Sequence, residues 1–271
     1  MPLVPLVELQ RIQSIYDADL KKDKVTTLLQ GEFGTGKTRF ADTCPAPVLC
    51  HMFDPHGEQT LRRGISEGRI IVDNSFEYRK WRGRPGDLFN KWTTLMSTYE
   101  REGFFNNIGT YFIDSFTTFS IALLSSVSND WQKWSDTLRE IVDSLMGLPC
   151  HVVLTSHIEI IRNDVTGVAS AYMYTPGRVK FWIPGLFSEV YVLRIQGGGD
   201  NAKYELLTRN DGYYKARTRM GADGLFKAVE VPDFKELLKK AGYPYEDKPL
   251  MKELLKTNSD TTNQTNQTKK E

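Results

Sequence analysis

The chain has 271 residues, 40% of them apolar and 11% aromatic, enough for a real core in one large α/β domain or two small ones. Its net charge of +1 excludes a global basic field, so any nucleic-acid contact must come from a local patch. The three cysteines, Cys44, Cys50 and Cys150, show no C-x-x-C spacing and no even framework, which fits a reducing cytosol rather than a secreted disulfide scaffold. No apolar run approaches membrane-spanning length, and Met1-Pro2-Leu3-Val4-Pro5 lacks the charged start and apolar core of a signal peptide. The expectation is a soluble, intracellular protein with no membrane partner, in which the Asn263-Gln264-Thr265 sequon is silent.

Residues 1–23 read as a lead-in, with a short amphipathic helix over 6–22 that covers a sheet edge or touches a neighbouring subunit. Val25-Thr26-Thr27-Leu28-Leu29 is a short β-branched apolar strand. It runs into Gly31-Glu32-Phe33-Gly34-Thr35-Gly36-Lys37-Thr38, the G-x-x-x-x-G-K-[ST] phosphate-binding loop. Converging backbone N–H donors need a loop with little side-chain bulk, hence Gly31, Gly34 and Gly36. Lys37 reaches the β/γ oxygens of a nucleotide as a mobile charge, and the Thr38 hydroxyl can ligate Mg²⁺. Thr38-Arg39-Phe40-Ala41 opens a helix that points its positive end at the phosphates, and Pro45-Ala46-Pro47 ends it.

Val48 to Phe53 is a second strand, ending in Asp54-Pro55-His56-Gly57-Glu58. Such a strand places carboxylates at the C-terminal edge of the sheet, where open α/β sheets bind ligands. Cys50-His51 and Cys150-His151 invite a zinc reading, but both pairs lie in or beside apolar strands, which favours core packing. Arg69 to Val72 is a short strand. Residues 76–92 form a basic and aromatic-rich excursion, and Asp87 to Arg101 has helical spacing.

Thr110-Tyr111-Phe112-Ile113-Asp114-Ser115 is an apolar strand ending in Asp, the pattern that sets a carboxylate near Mg²⁺. Phe116–Val127 and Trp131–Leu148 read as helices. Cys150 to Thr155 is a further buried strand ending in Ser156-His157, where His157 is either a reporter of the γ-phosphate or a satisfied strand-end histidine. Residues 159–187 lack a clear period and read as a long irregular segment. Glu189 to Arg194 resumes as a strand, a glycine turn at 197–199 leads to Tyr204-Glu205-Leu206-Leu207, and Asn210-Asp211-Gly212 signals a hairpin whose return strand is Tyr213–Arg219. Lys215, Arg217 and Arg219 alternate, so they share one face, either solvated or reaching a phosphate. Asp233 N-caps a short helix to Ala241, and beyond about Lys256 the polar sequence predicts a disordered tail.

These motifs, GEFGTGKT, VLCHMFDPHGE, TYFIDSFT, the DWQKWSDTLREIVDSLMGLPCHVVLTSHIE stretch and GRVKFWIPGLFSEVYVLRI, occur in one order. That order resembles the RecA-type ATPase core. More specifically it looks like the phage-encoded RecA-core ATPases, single-domain relatives of RecA and archaeal RadA used in recombination and single-strand annealing. The likeness covers roughly residues 24–220. It implies an α/β fold with a RecA-like P-loop NTPase core, a mostly parallel central sheet flanked by helices and a C-terminal β-hairpin, spanning 24–245 ahead of a tail over 246–271.

The resemblance implies ATP and Mg²⁺ as cofactors. Gly31, Glu32, Phe33, Gly34, Thr35, Gly36, Lys37, Thr38 and Arg39 would contact the nucleotide, with Thr38 and Asp114 on the metal. Ser156-His157 stands where RecA-like proteins carry a polar sensor. The water-activating acid follows the second core strand; strict alignment puts His56 there, leaving Glu58 as first candidate and Asp54 as second. The 159–187 segment corresponds to the loop that lies along single-stranded DNA, with Arg178, Lys180, Phe181 and Trp182 suited to stacking and phosphate contact. Residues 76–92 have the same mixture, and a protein interface explains them equally well. Arg217 and Arg219 match residues that reach a neighbour's ATP, implying a homo-oligomeric ring or filament.

The expected function is ATP hydrolysis coupled to single-stranded DNA in recombination, annealing or replication, in the host cytoplasm if phage-encoded, with a phage single-strand-binding protein as a possible partner. The alternatives are an ATP-gated DNA- or protein-binding module with little turnover, and a helicase- or packaging-type motor.

Overall fold

Four apolar strands of this chain carry no polar face, and each is buried end to end apart from its first residue in one case: β1 (Thr26–Gly31), β2 (Val48–Met52), and two described below. Strands buried on both faces belong in a parallel sheet covered by helices. The computed structural model describes residues 6–19 and 24–250 and has that arrangement. Helix α1 (Leu6–Asp19) precedes β1 and leaves Leu6, Val7 and Leu9 exposed. After β2 come α2 (Arg62–Glu67), β3 (Ile70–Asp73), α3 (Pro85–Arg101), β4 (Thr110–Asp114), α4 (Phe116–Ser126), α5 (Trp131–Gly147) and β5 (His151–Ser156). The chain continues through β6 (Ile158–Arg162), β7 (Ala169–Met173), β8 (Glu189–Gln196), β9 (Lys203–Leu207), β10 (Val229–Glu230) and α6 (Phe234–Ala241).

The main sheet has eight strands in the order β10-β9-β8-β1-β5-β4-β2-β3. Every pairing from β8 to β3 is parallel, and β9 and β10 add an antiparallel margin. This is the α/β architecture that the resemblance to a RecA-type core implies. Successive strand residues alternate between two cores: Leu28, Leu49, Tyr111, Ile113, Val152 and Leu154 face one, while Leu29, Cys50, Phe112 and Val153 face the other. Leu88 and Trp92 of α3, Phe119 of α4 and Leu138, Val142 and Leu145 of α5 cover the first. Phe40 with Phe234, Leu237 and Leu238 of α6 cover the second. Side-chain caps begin three helices, with Ser115, Asp130 and Asp233 accepting from the backbone N–H three residues on. Among the described residues no helix is long and apolar enough to cross a membrane.

The structure departs from the sequence expectations at several places. The turn after the phosphate loop is a 3₁₀ helix, Thr38–Thr43, not an α-helix, because Pro45 and Pro47 leave room for little more than one turn. Residues 159–187 are not irregular throughout. They begin within an antiparallel hairpin, β6 paired with β7, whose turn is held by Asn163 Oδ1 accepting from Val165 N and Thr166 N. The C-terminal hairpin is β8–β9, and its next strand is β10 rather than Tyr213–Arg219. The buried Glu189 carboxylate explains this. It accepts from Thr218 Oγ1 (2.5 Å), Arg219 N (2.9 Å) and Met220 N (2.8 Å), and so draws that segment across β8 in place of a ladder. Only isolated backbone contacts remain there, as between Val190 and Arg217.

The aromatic residues of 76–92 turn largely inward: Phe76, Phe89 and Trp92 are buried, and Trp81 Nε1 donates to Ser75 O (2.7 Å). The chain also stays docked beyond 246. Asp247 Oδ1 accepts from Ala46 N (2.6 Å), and Lys248 Nζ donates to Asn106 O and Ile108 O. The tail expected beyond Lys256 lies outside the described residues.

Candidate functional site

The phosphate loop sits between the C-terminal end of β1 and the 3₁₀ turn, and its shape depends on glycine. A Cβ on Gly31 would stand 2.5 Å from Thr35 Oγ1 and 2.7 Å from Leu193 O, so no larger residue fits. Gly36 has φ of +93°, in the left-handed region that side chains disfavour. Lys37 folds into the loop and donates from Nζ to Gly31 O (2.9 Å) and Glu32 O (2.7 Å). Burial lowers its pKa, against the attraction of Asp114, Asp54 and Glu32.

Because β5 lies between β1 and β4, Asp114 at the end of β4 is carried to the far side of the loop. There Thr38 Oγ1 donates to Asp114 Oδ2 (2.6 Å) and Thr155 Oγ1 donates to Asp114 Oδ1 (2.5 Å). Burial first and the neighbouring Asp54 second raise the Asp114 carboxyl, opposed by those two hydroxyls and the Lys37 charge. A hydroxyl and a carboxylate on adjoining elements are the hard oxygen donors that Mg²⁺ takes. Thr38 and Asp114 therefore fit a magnesium ion.

Of the three candidates after β2, only Asp54 lines the cleft with these groups. Its Oδ1 accepts from Thr118 Oγ1, and its Oδ2 stands 3.5 Å from His157 Nε2. Burial pushes the Asp54 carboxyl up, but hydrogen bonds from His157, Thr118 and Ser115 outweigh it and hold it below its usual value. His56 sits at φ of +67°, which turns it out to Arg79 Nη1 at 3.3 Å. Glu58 is not in the cleft wall; Gly57 is instead, where a Cβ would come within 2.9 Å of Met52 Sδ and 3.5 Å of Asp114 Oδ2.

His157 completes this wall. The exposed Phe33 ring of the phosphate loop packs on it, tilted by 32°, with centroids 4.3 Å apart. Its backbone is fixed on both sides, since His157 N donates to Thr117 Oγ1 (2.9 Å) and His157 O accepts from Tyr174 N (2.7 Å). The first residues of β6 and the residue after β7 thus hang from the same histidine. Ser156 Oγ points away into bonds with Thr117 and the His157 carbonyl.

The remaining sequence candidates do not gather here. Arg217 Nη2 donates to the carbonyls of Pro184, Gly185 and Phe187 (3.0, 3.0 and 2.7 Å), and Arg219 Nη2 to that of Gly185 (3.4 Å). Both guanidiniums tie down their own chain's turn at 184–187. In the DNA candidate set Arg178 and Phe181 are exposed, whereas Lys180 is paired with Glu159 and Trp182 packs against the core beside Arg139. Cys44, Cys50 and Cys150 are buried. His51 accepts at Nδ1 from Trp92 Nε1 (3.1 Å) and Tyr111 Oη (2.8 Å), and His151 Nδ1 accepts from Val25 N (3.1 Å), so both histidines serve the core. Among the described residues no three His, Cys, Asp or Glu side chains converge as a metal cluster.

The sequence reading passed over Thr117, Thr118 and Thr155, which hold His157, Asp54 and Asp114, and over Tyr204, Leu193 and Pro232, which line the other end of the cleft. Their only local signal was position: Thr117 and Thr118 stand in the first turn of the helix after the Asp114 strand, and Thr155 is next to last in β5. The cleft as a whole encloses about 1260 Å³.

No protein-family model matches this chain, and no curated protein is significantly similar to it in sequence. Among solved structures, a KaiC-like protein from the hyperthermophilic archaeon Pyrococcus horikoshii matches 69% of this chain and 78% of its own, with 18% identity and a TM-score of 0.41. That match is too distant to bear on the site, whose reading rests on its own geometry.

Proposed function

We propose that this protein is a P-loop ATPase that couples nucleotide hydrolysis to contact with single-stranded DNA. The observation that carries the first half is the convergence of Lys37, Thr38 and Asp114 on one loop, with Asp54 facing them across the cleft. The loop N–H groups and Lys37 hold the phosphates, exchanging the Gly31 and Glu32 carbonyls for more strongly charged acceptors. Thr38 and Asp114 would hold Mg²⁺, which would supply neutralisation of the β/γ charge. Asp54 is ionised at neutral pH and can only accept, so it orients a water against the γ-phosphoryl group. Phosphoryl transfer through a loose transition state asks more for this positioning than for a strong base.

The link to DNA runs through His157. A γ-phosphate beside His157 bears on the root of the β6–β7 hairpin, because His157 O holds Tyr174 and Glu159, two residues on, holds Lys180. The hairpin and the turn after it expose Arg162, Val165, Arg178 and Phe181, a mixture of cations and apolar surface that suits a strand of phosphates and bases. That coupling suits a place in recombination, annealing or replication. Assembly into a ring or filament is part of the same proposal, although Arg217 and Arg219 both bond carbonyls of their own chain; of the two, Arg219 is the more exposed and makes the single, longer bond.

The test is ATP turnover with Mg²⁺, with and without single-stranded DNA. The wild type turns over ATP and is stimulated by the DNA, and Lys37→Ala is slower by at least about 100-fold. Equal rates in the two proteins overturn the site. Unchanged turnover together with no binding to a labelled oligonucleotide overturns the DNA half. Tight ATP binding with negligible turnover selects the ATP-gated module instead.

A further inference from the structure

The cleft extends well past the loop on the side opposite the carboxylates. In the sheet, β1 has β5, β4 and β2 on one hand and β8, β9 and β10 on the other. Asp114 ends β4, and Asp54 and His157 follow β2 and β5, all strands of the first set. Leu193 on β8, Tyr204 on β9 and Pro232 after β10 line the cleft from the second. A nucleoside triphosphate that puts its terminal phosphoryl group toward Asp114 and Asp54 must direct its nucleoside toward that second flank. Tyr204 waits there, 52% exposed, with Cδ1 3.7 Å and Cε1 3.9 Å from where a Cβ on Gly36 would lie. A phenol ring beside the phosphate loop, half open to the cleft, is a stacking surface for a planar base.

The same end offers little to read the base's edge. Phe40, Leu193 and Pro232 are apolar. The Thr43 hydroxyl spends its proton on Phe40 O (2.8 Å) and one lone pair on Phe234 N (3.0 Å), which leaves it a single acceptor lone pair and no donor. Arg39 is exposed and can only donate. Among these residues that one lone pair of Thr43 is the only side-chain acceptor besides the Tyr204 phenol, too little for the paired edge contacts that single out adenine, while a donor such as Arg39 meets the N7 acceptor of either purine. We infer that the nucleobase stacks on Tyr204 and is held by stacking rather than by edge recognition, so that the site takes purine nucleoside triphosphates with little preference among them. This rests on the phosphate-binding reading of the loop and names the substrate class of that site.

The experiment is calorimetric titration of the full chain with Mg²⁺ and ATP, GTP or inorganic tripolyphosphate. ATP and GTP bind within about 10-fold of each other, far short of the roughly 10⁴-fold rejection shown by sites built on edge hydrogen bonds. Tripolyphosphate binds more weakly than ATP by about 10-fold, the range of one base–aromatic stack. Tyr204→Ala removes that advantage and leaves tripolyphosphate affinity unchanged, which also reports that the variant is folded. Tyr204→Phe keeps the advantage. An ATP-to-tripolyphosphate ratio unaltered in Tyr204→Ala overturns the inference, as does a preference of about 10³-fold for ATP over GTP; either leaves the phosphate site standing. Failure of the wild type to bind tripolyphosphate and ATP at all, or equal binding by Lys37→Ala, overturns the phosphate site itself and this inference with it.

Discussion

The two flanks of the cleft are built differently. On the acid flank each polar group is held by another: Thr155 and Thr38 on Asp114, Thr118 and His157 on Asp54, Thr117 on His157. The strands beneath, β5, β4 and β2, are parallel and wholly buried. On the aromatic flank the sheet turns antiparallel, β9 is exposed at its first residues, and Tyr204 stands half in solvent. Groups that must meet a reacting phosphoryl group need positions fixed to a fraction of an ångström, and buried strand ends supply them. A base that needs only to be held can rest on the sheet margin.

That contrast breaks most easily at Asp114. Asp114→Asn removes the carboxylate from the acid flank and lowers ATP turnover by at least about 100-fold. Because burial raises the Asp114 carboxyl in the fold, the neutral amide relieves a buried charge, and the thermal midpoint stays level or rises. A variant with near-normal turnover, or one that melts far below the wild type, removes the division between holding the fold and holding the ligand.

The foundation of the acid flank also carries a pH dependence. His51 lies on β2, three residues before Asp54, and burial pushes its pKa from 6.5 to about 4. The unfolded chain therefore binds the proton between those values and the folded chain does not. This stability is present in full above pH 6.5 and is lost as pH falls toward 4, by up to about 3 kcal/mol. Urea midpoints measured at pH 6.5 and 4.5 should differ in the wild type and differ less in His51→Asn. The same acid dependence in both proteins would assign it to carboxylates elsewhere. A smaller effect is expected from Asp54→Asn, whose turnover falls by about 100-fold while ATP affinity holds.

The phosphate loop and Asp114 were legible because their meaning is local: a strand, a glycine loop and Lys37-Thr38 are contiguous, and an apolar strand ends in its own Asp. What the chain does over long separations was not. Nothing around Tyr213–Arg219 tells that Glu189, some thirty residues earlier, captures Thr218 and two backbone N–H groups and so replaces a strand with a crossing segment. Which of Asp54, His56 and Glu58 lines the cleft was not legible either. A left-handed turn at His56 sends that ring to Arg79 and leaves Asp54 facing the loop. Tyr204 gave no signal, because its place beside Gly36 exists only once β8 and β9 are laid against β1. Arg217 read as a finger for want of any sign that three carbonyls at 184–187 surround it.

The division of labour between the flanks is tested most directly by measuring ATP affinity and single-turnover hydrolysis side by side in Asp54→Asn and Tyr204→Ala. Asp54→Asn should bind ATP as the wild type does and lose hydrolysis by about 100-fold, whereas Tyr204→Ala should bind about 10-fold more weakly and hydrolyse what it binds at nearly the wild-type rate. Both variants losing affinity and rate in the same proportion would contradict that division.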